Sequence, residues 1–172
     1  MRDRLLSDDE IAAIWHTDQR PYSDIVKLLI LTGQRRNQIW RYNPAWKDDD
    51  VLTFPSDVMK SKRPHTIPIT GYGDLLPSQP FIFNGWSKSK ARMDRRSGVS
   101  DWVLHDLRRY FSSTMARLRV PLHVTEQIID HRSQVSGVAA IYNRYTFLEE
   151  MREALFAYES HLAMITSEQM QS

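Results

Sequence analysis

Residues 103–120 read VLHDLRRYFSSTMARLRV, and this stretch decides the fold. Its apolar residues recur at steps of 3, 4, 4 and 3 positions, which is the spacing of one face of an α-helix. These residues are Leu104, Leu107, Phe111, Met115 and Leu118. The polar residues His105 and Arg108 stand three positions apart, so both lie on one face of the same helix. The stretch therefore predicts a core helix that carries a histidine and an arginine side by side.

Further helices are predicted on both sides of this one. The sequence SDDE at 7–10 starts a helix, with Ser7 as N-cap and Glu10 closing a capping box. PYSDIVKLLILTG at 21–33 has an apolar helical face, and Gly33 is placed to end the helix. Three more helices are predicted, from QRRNQIWRY at 34–42, HVTEQIIDH at 123–131 and FLEEMREALFAYESHLAMI at 147–165.

A β-hairpin is predicted between the helices. VLTF at 51–54 and HTIPI at 65–69 are short apolar or β-branched runs, joined by the basic connection PSDVMKSKRP at 55–64. GYGDLLPSQP at 71–80 is typical of a loop. At 172 residues the chain has the length of one domain. We expect a single domain over residues 1–172, mainly α with a small antiparallel β-sheet, which is an α+β fold.

Composition and charge narrow the class of protein. There are no cysteines, which excludes disulfides and all-cysteine zinc sites and fits a reducing cytosolic setting. No apolar run approaches the roughly 18 residues of a membrane span, and the charged start MRDRLLSDDE is unlike a signal peptide. The net charge is only +2, yet bases collect in QRR, KSKRPH, SKSKARMDRR and LRR. Such clusters favour a polyanionic partner if they converge in space.

Several basic residues are candidates for binding an anion. Arg35 follows the Gly33 turn at the start of a helix, where free amides and the helix dipole favour negative charge. The alternative is an exposed surface arginine. Lys60 and Lys62 lie in the hairpin connection, where a run of charge is usually solvated.

Two histidines and two tyrosines are also candidates. His105 has apolar neighbours and could be a hydrogen-bonded core histidine, and His131 could be a cation at a helix C-terminus. The sequence QIIDHRSQVSGVAAIYNRY at 127–145 places Tyr142 and Tyr145 after a run of small residues. Either tyrosine could be a buried aromatic or a nucleophile.

The order of these residues resembles the catalytic domain of the tyrosine recombinases, particularly the phage-type integrases. That order is an arginine after a glycine turn, a hairpin lysine, His-x-x-Arg, a later histidine and then a tyrosine. The resemblance covers nearly the whole chain, from LLSDDEIAAIW at 5–15 to SGVAAIYNRYTFLEEMREAL at 136–155. Between them it includes LTGQRRNQI, MKSKRPHTIPI, FNGWSKSKARMD, SDWVLHDLRRYFSS and IIDH.

The resemblance implies a role for each cationic residue. Arg35 and Arg108 would hold the non-bridging oxygens of a DNA phosphodiester, because a guanidinium stays charged and grips two oxygens. His131 would donate a further hydrogen bond to the phosphate. Lys60 would protonate the departing 5′-oxygen as general acid, and Lys62 is the rival for that role.

The resemblance also implies a covalent mechanism. Tyr142, in the YNR motif, would be the nucleophile and form a 3′-phosphotyrosyl link, with His105 orienting or deprotonating it. Tyr145, about one helical turn later, would pack or contact DNA. Cationic side chains would take the electrostatic part of a metal, so the resemblance implies neither a metal nor a cofactor. The alternatives are a catalytically impaired DNA-binding remnant and a type IB topoisomerase-like enzyme.

The sequence departs from the resemblance in two respects. Asn37 and Gln38 stand where a glycine and a glutamate are expected after the first arginine, which would loosen Arg35. The catalytic pattern also starts almost at residue 1, so we expect a fragment that lacks N-terminal DNA-binding domains. The implied partners are double-stranded DNA, further copies of the chain in a tetramer on DNA when full length, and an accessory DNA-bending protein. The implied location is a bacterial cytoplasm, at the nucleoid, with a bacterial or phage origin.

Overall fold

The computed structural model describes residues 3–131 and 144–167, of which residues 144–146 are described by their backbone alone. Within these ranges most of the chain is helical, with one small sheet. The elements are α1 Asp8–Trp15, α2 Tyr22–Thr32, α3 Arg36–Trp40, β1 Lys47–Asp48, β2 Val51–Phe54, β3 His65–Pro68, α4 Trp86–Ser97, α5 Leu104–Arg117, α6 Leu122–Ile128 and α7 Arg144–Ser167. Short 3₁₀ helices span Pro44–Trp46 and Gly71–Leu75. The predicted α+β class, mainly helical with a small antiparallel sheet, is confirmed.

The first helix begins as its sequence predicts. Ser7 Oγ accepts the Glu10 amide at 3.2 Å, while Glu10 Oε2 accepts the Ser7 amide at 2.9 Å. This reciprocal capping box satisfies two amides that a helix start leaves without partners. Arg4 also donates to the Glu10 carboxylate, from Nη2 to Oε1 at 2.5 Å. This contact attaches the N-terminal segment that precedes α1 to the helix.

Gly33 ends α2 and brings it close to α5. Its φ of 64° is in the left-handed region, which favours glycine. A Cβ at this position would lie 2.5 Å from the Phe111 ring of α5, so the close packing also requires glycine. The turn that carries Arg35 is therefore fixed against the helix that carries Arg108.

The sheet is antiparallel, in the order β1-β2-β3. The predicted hairpin is confirmed, with Leu52 opposite Ile67 and Phe54 opposite His65. The short strand β1 adds to its outer edge through Lys47 and Asp48. The hairpin thus places the basic connection 55–64 beyond one end of the sheet.

The last helix, α7, packs on its own chain. Its buried apolar residues are Met151, Ala154, Leu155, Tyr158, Leu162 and Ile165. The Tyr158 hydroxyl donates to the Ile30 carbonyl at 2.8 Å, and Glu159 accepts the Gly71 and Tyr72 amides at 3.1 Å. These contacts attach α7 to α2 and to the segment after β3. No helix in the described ranges has the length and apolar content to cross a membrane.

Candidate active site

Two adjoining hollows share four of the residues singled out in the sequence. The hollows measure about 640 and 650 Å³, and Arg35, Lys60, His105 and Arg108 line both of them. His131 lines the second hollow alone. Three separate stretches of sequence, the turn after α2, the hairpin connection and α5, thus meet at one cleft.

Arg35 reaches the cleft from the turn between α2 and α3. Its backbone amide donates to Gln38 Oε1 at 3.1 Å. Its guanidinium Nη1 is buried and has no hydrogen-bond partner among the described residues. A buried donor left without a partner costs about 1–3 kcal/mol. An anionic oxygen in the cleft would satisfy this donor.

Arg108 is buried beneath the cleft. Its Nη1 donates to the Gly33 carbonyl at 2.9 Å and its Nη2 to the Ile129 carbonyl at 2.6 Å. Burial, followed by the charge of Arg35, lowers the pKa of Arg108 to about 10, while Asp130 acts in the opposite direction. The guanidinium therefore remains charged at neutral pH. Among the described residues, these two carbonyls engage two of the five N–H donors of Arg108.

His105 lies one helical turn before Arg108, and its side chain is exposed to the cleft. Desolvation lowers the pKa of His105 below its usual 6.5, and the charges of Arg108, Arg109 and Arg35 lower it further. The imidazole is therefore mainly neutral at pH 7. A neutral imidazole can accept a proton, which is the property a general base requires.

Lys60 and Lys62 are both exposed in the hairpin connection, but they differ in position. Lys60 lines both hollows, whereas Lys62 lines only the first. The connection is attached to the core by Val58 and Met59, which are buried. Both lysines therefore share the first hollow with Arg35 and Arg108, and Lys60 alone of the two also lines the second hollow with His131.

His131 follows the C-terminal end of α6. Its amide donates to the Glu126 carbonyl at 2.9 Å, and its Nδ1 lies 3.8 Å from Glu126 Oε1. Its side chain is exposed toward the second hollow. Tyr142, the expected nucleophile, lies outside the described residues, and Tyr145 falls in the first turn of α7.

Three buried polar residues lie beneath the cleft, and two of them, Gln34 and His65, were not identified as site residues from the sequence. Gln38 Nε2 donates to Gln34 Oε1 at 2.8 Å, and Gln34 Nε2 donates to the Ile128 carbonyl at the same distance. His65 Nε2 contacts that carbonyl too, also at 2.8 Å. A sequence signal for His65 existed, because two-residue alternation in β3 places it on the same face as buried Ile67.

The cleft has cationic surroundings and no evident metal site. Arg36 lines the first hollow, and its guanidinium lies 5.2 Å from the centre of the Trp86 ring on α4. Among residues 3–131 and 144–167, no group of three or more histidine or acidic side chains is arranged to hold a metal ion. The side chains that line the hollows offer positively charged hydrogen-bond donors.

The helical α+β fold, with two arginines, a lysine and two histidines lining its hollows, agrees with what the sequence resemblance to phage-type integrases implies. The integrase from mycobacterium phage Brujita has the same fold, with a TM-score of 0.69 over 92% of this chain and 17% sequence identity. The prophage integrase IntZ of Escherichia coli (strain K12) is 33% identical over 64 residues, or 36% of this chain. The resemblance to the phage integrase, or tyrosine recombinase, family is thereby confirmed.

The matches cover only part of these longer proteins. The aligned region spans 16% of the Escherichia coli protein and 58% of the Brujita chain. No protein-family model matches the chain.

Proposed function

We propose that this chain is the catalytic domain of a site-specific DNA recombinase of the integrase type. It would cleave and rejoin DNA strands without a metal, through a covalent 3′-phosphotyrosyl intermediate on Tyr142. The observation that carries the proposal is the shared lining of the two hollows. Arg35, Lys60 and the pair His105 and Arg108 come from three separate stretches of the sequence and line one cleft.

The cleft matches the charge that develops during phosphoryl transfer. Attack on a phosphodiester adds negative charge to the non-bridging oxygens, and preorganised donors stabilise that charge. Among the described residues, the buried Nη1 of Arg35 lacks a protein partner, and Arg108 gives two of its five N–H donors to the Gly33 and Ile129 carbonyls. We assign these two guanidinium groups to the phosphate and His131 to a further hydrogen bond.

The proton transfers follow from the two remaining side chains. The Tyr142 phenolic oxygen would form a bond to phosphorus as the bond from phosphorus to the 5′-oxygen breaks. His105, mainly neutral at pH 7, would accept the phenolic proton, and Lys60 would give a proton to the leaving 5′-oxygen. The phosphotyrosyl bond conserves the energy needed for a 5′-hydroxyl to rejoin the strand, so no nucleotide cofactor is required.

The direct test uses a nicked suicide DNA substrate that traps a covalent adduct. Wild-type protein should give the adduct, and Tyr142→Phe should lose it while still binding DNA, because only the phenolic oxygen is removed. Tyr145→Phe is the matched control and should retain the adduct. Adduct formation by Tyr142→Phe but not by Tyr145→Phe would move the nucleophile to Tyr145. The absence of an adduct with wild-type protein would favour a DNA-binding remnant.

Gln38 stands where the resemblance to the integrases leads us to expect a glutamate, but this difference does not favour a catalytically impaired DNA-binding remnant. Gln38 Oε1 accepts the Arg35 amide, a contact that a carboxylate oxygen at this position could also make. The turn that carries Arg35 therefore keeps its hydrogen-bonded support. The type IB topoisomerase alternative predicts plasmid relaxation without site preference, whereas the integrase proposal predicts cleavage at a defined site.

We further propose that residues 1–172 act as one domain of a longer integrase. Its partners would be double-stranded DNA and, in the full-length protein, three more copies of the chain on that DNA, with an accessory DNA-bending protein. Alone, the domain should bind DNA weakly and with a steep salt dependence, because it contacts few phosphates. Its place of action would be the cytoplasm, at the bacterial nucleoid.

A further inference from the structure

The carbonyl of Ile128, at the C-terminal end of α6, accepts two side-chain hydrogen bonds. Gln34 Nε2 and His65 Nε2 both contact it at 2.8 Å. The last four carbonyls of a helix have no partner within the helix, so they are available to side chains from elsewhere. A carbonyl oxygen can only accept, so Nε2 of His65 carries the proton. Both donors are buried, as is Ile128 itself.

The two donors belong to the segments that carry cationic residues of the cleft. Gln34 directly precedes Arg35, and His65 begins β3, five residues after Lys60. The acceptor Ile128 lies three residues before His131. One buried carbonyl therefore joins the arginine turn, the lysine hairpin and the histidine.

Each side chain is held in a single orientation. Gln34 Nε2 also donates to the Thr32 carbonyl at 2.9 Å, so a rotated amide would place its oxygen against two carbonyl oxygens. Gln34 Oε1 must then face the Nε2 of Gln38, which leaves Gln38 Oε1 for the Arg35 amide. His65 is fixed by stacking on Phe54, with ring centres 6.2 Å apart and planes 15° from parallel.

We propose that Gln34 and His65 are positioning residues. By their hydrogen bonds to the Ile128 carbonyl they fix the positions of Arg35, Lys60 and His131 relative to one another. The proposal rests on the proposed function, because the relative positions of these three residues matter for cleavage of the DNA strand. Neither side chain needs to touch DNA. In this arrangement Gln38 must be an amide, since a carboxylate at residue 38 would place an oxygen against Gln34 Oε1.

The test compares His65→Phe with His65→Gln in adduct formation on the suicide substrate at saturating protein. Glutamine reproduces the position of the histidine Nε2, whereas phenylalanine keeps the stacking ring and loses the donor. His65→Phe should slow cleavage about 10-fold to 100-fold, as small misplacements of reacting groups do. DNA affinity should stay unchanged, and His65→Gln should recover most of the rate. In a His131→Ala background the added effect of His65→Phe should shrink, because one of the residues it positions is gone.

A second measurement does not depend on activity. The His131 amide donates to the Glu126 carbonyl at 2.9 Å, so hydrogen exchange in a peptide covering residues 122–131 reports the end of α6. Exchange should be faster in His65→Phe and in Gln34→Met, and as slow as wild type in His65→Gln. Gln38→Glu should also increase exchange there.

The two proposals fail in different ways. A wild-type protein without adduct contradicts the proposed function, and the exchange data then decide the anchoring by themselves. Equal exchange and equal cleavage in the phenylalanine and glutamine variants would overturn the positioning role. If His65→Phe does not fold, Gln34→Met replaces it in both measurements, and wild-type rate and exchange in that variant would overturn the proposal.

Discussion

The two sides of the cleft are built in different ways. Arg108 is only 6% exposed, and its guanidinium is fixed by the Gly33 and Ile129 carbonyls. Lys60 is exposed in the hairpin connection and makes no hydrogen bond or ion pair with any residue that the structure describes. The arginine is part of the packed core, whereas the side chain of Lys60 lies at the surface. A single cleft therefore combines a buried arginine with fixed hydrogen bonds and an exposed lysine.

Because of this contrast, substitutions on the two sides should differ in their effects on folding stability and on DNA cleavage. Substitution of Arg108 should affect both folding and cleavage, because its hydrogen bonds hold α2, α5 and the end of α6 together. Substitution of Lys60 should affect cleavage alone.

Arg108→Ala should be the most damaging change. It leaves the Gly33 and Ile129 carbonyls buried without this donor, which should cost about 2–6 kcal/mol of unfolding free energy at roughly 1–3 kcal/mol each. The cleavage rate should fall by about 10² or more, as on loss of a preorganised transition-state donor. Urea unfolding and single-turnover adduct formation measure the two effects. Lys60→Ala is the control and should change stability by less than about 0.5 kcal/mol. Equal stability of the two variants would contradict the contrast.

The leaving group distinguishes the two sides chemically. Lys60→Ala should slow cleavage of ordinary DNA by about 10²-fold, the scale of general acid catalysis. With a 5′-thio leaving group, which needs no proton, that defect should largely disappear while the Arg35→Ala defect persists. Lys62→Ala should have little effect on either substrate, because Lys62 lines only the first hollow. If Lys60→Ala remains equally slow on the thio substrate, the acid is another residue and Lys62 is the next to test.

Local rules predict the parts of the fold that local contacts build. The capping box of Ser7 and Glu10, the glycine turn at Gly33 and the face of α5 each need only neighbouring residues. The helix α4 escaped prediction because it buries only Met93 and has no apolar stripe. It is held by contacts that no periodicity shows, such as Lys90 Nζ at 4.1 Å from the centre of the Trp102 ring.

The candidate site likewise contains residues that short sequence motifs identify and residues that only tertiary contacts reveal. Arg35, His105 and Arg108 stand in short motifs, and the resemblance suffices to select them. Gln34 and His65 act through Ile128, which lies 94 and 63 residues away in sequence, so their role depends on tertiary contacts. Tyr142 was selected by the YNR motif in which it stands, and the assignment of Tyr142 as the nucleophile remains a prediction.

His105 should impose an acidic limb on the pH dependence of cleavage. Its pKa is lowered in the folded protein, so the neutral, proton-accepting form persists below pH 6.5 and is lost only as the pH falls further. The same shift means that its contribution to stability is present above pH 6.5 and declines as the pH falls through the lowered value. His105→Gln should slow cleavage about tenfold or more and remove this limb. A limb at or above pH 6.5, or one that survives in His105→Gln, would contradict the role as base.

The smallest effect is expected at Arg36, which extends the anion site along the first hollow without reaching the second. If Arg36 contacts a neighbouring phosphate, Arg36→Ala should weaken DNA binding uniformly across sequences. It should also reduce the slope of log affinity against log salt by about 0.9, the value for one phosphate contact. The matched control removes a neutral pair in the same hollow, Arg41 and Asp57, whose side chains approach to 3.6 Å. The double variant Arg41→Ala/Asp57→Ala keeps the net charge of the hollow and should leave the slope nearly unchanged. An equal loss of slope in both variants would show that the hollow acts through general shape or hydration and that Arg36 is no phosphate ligand.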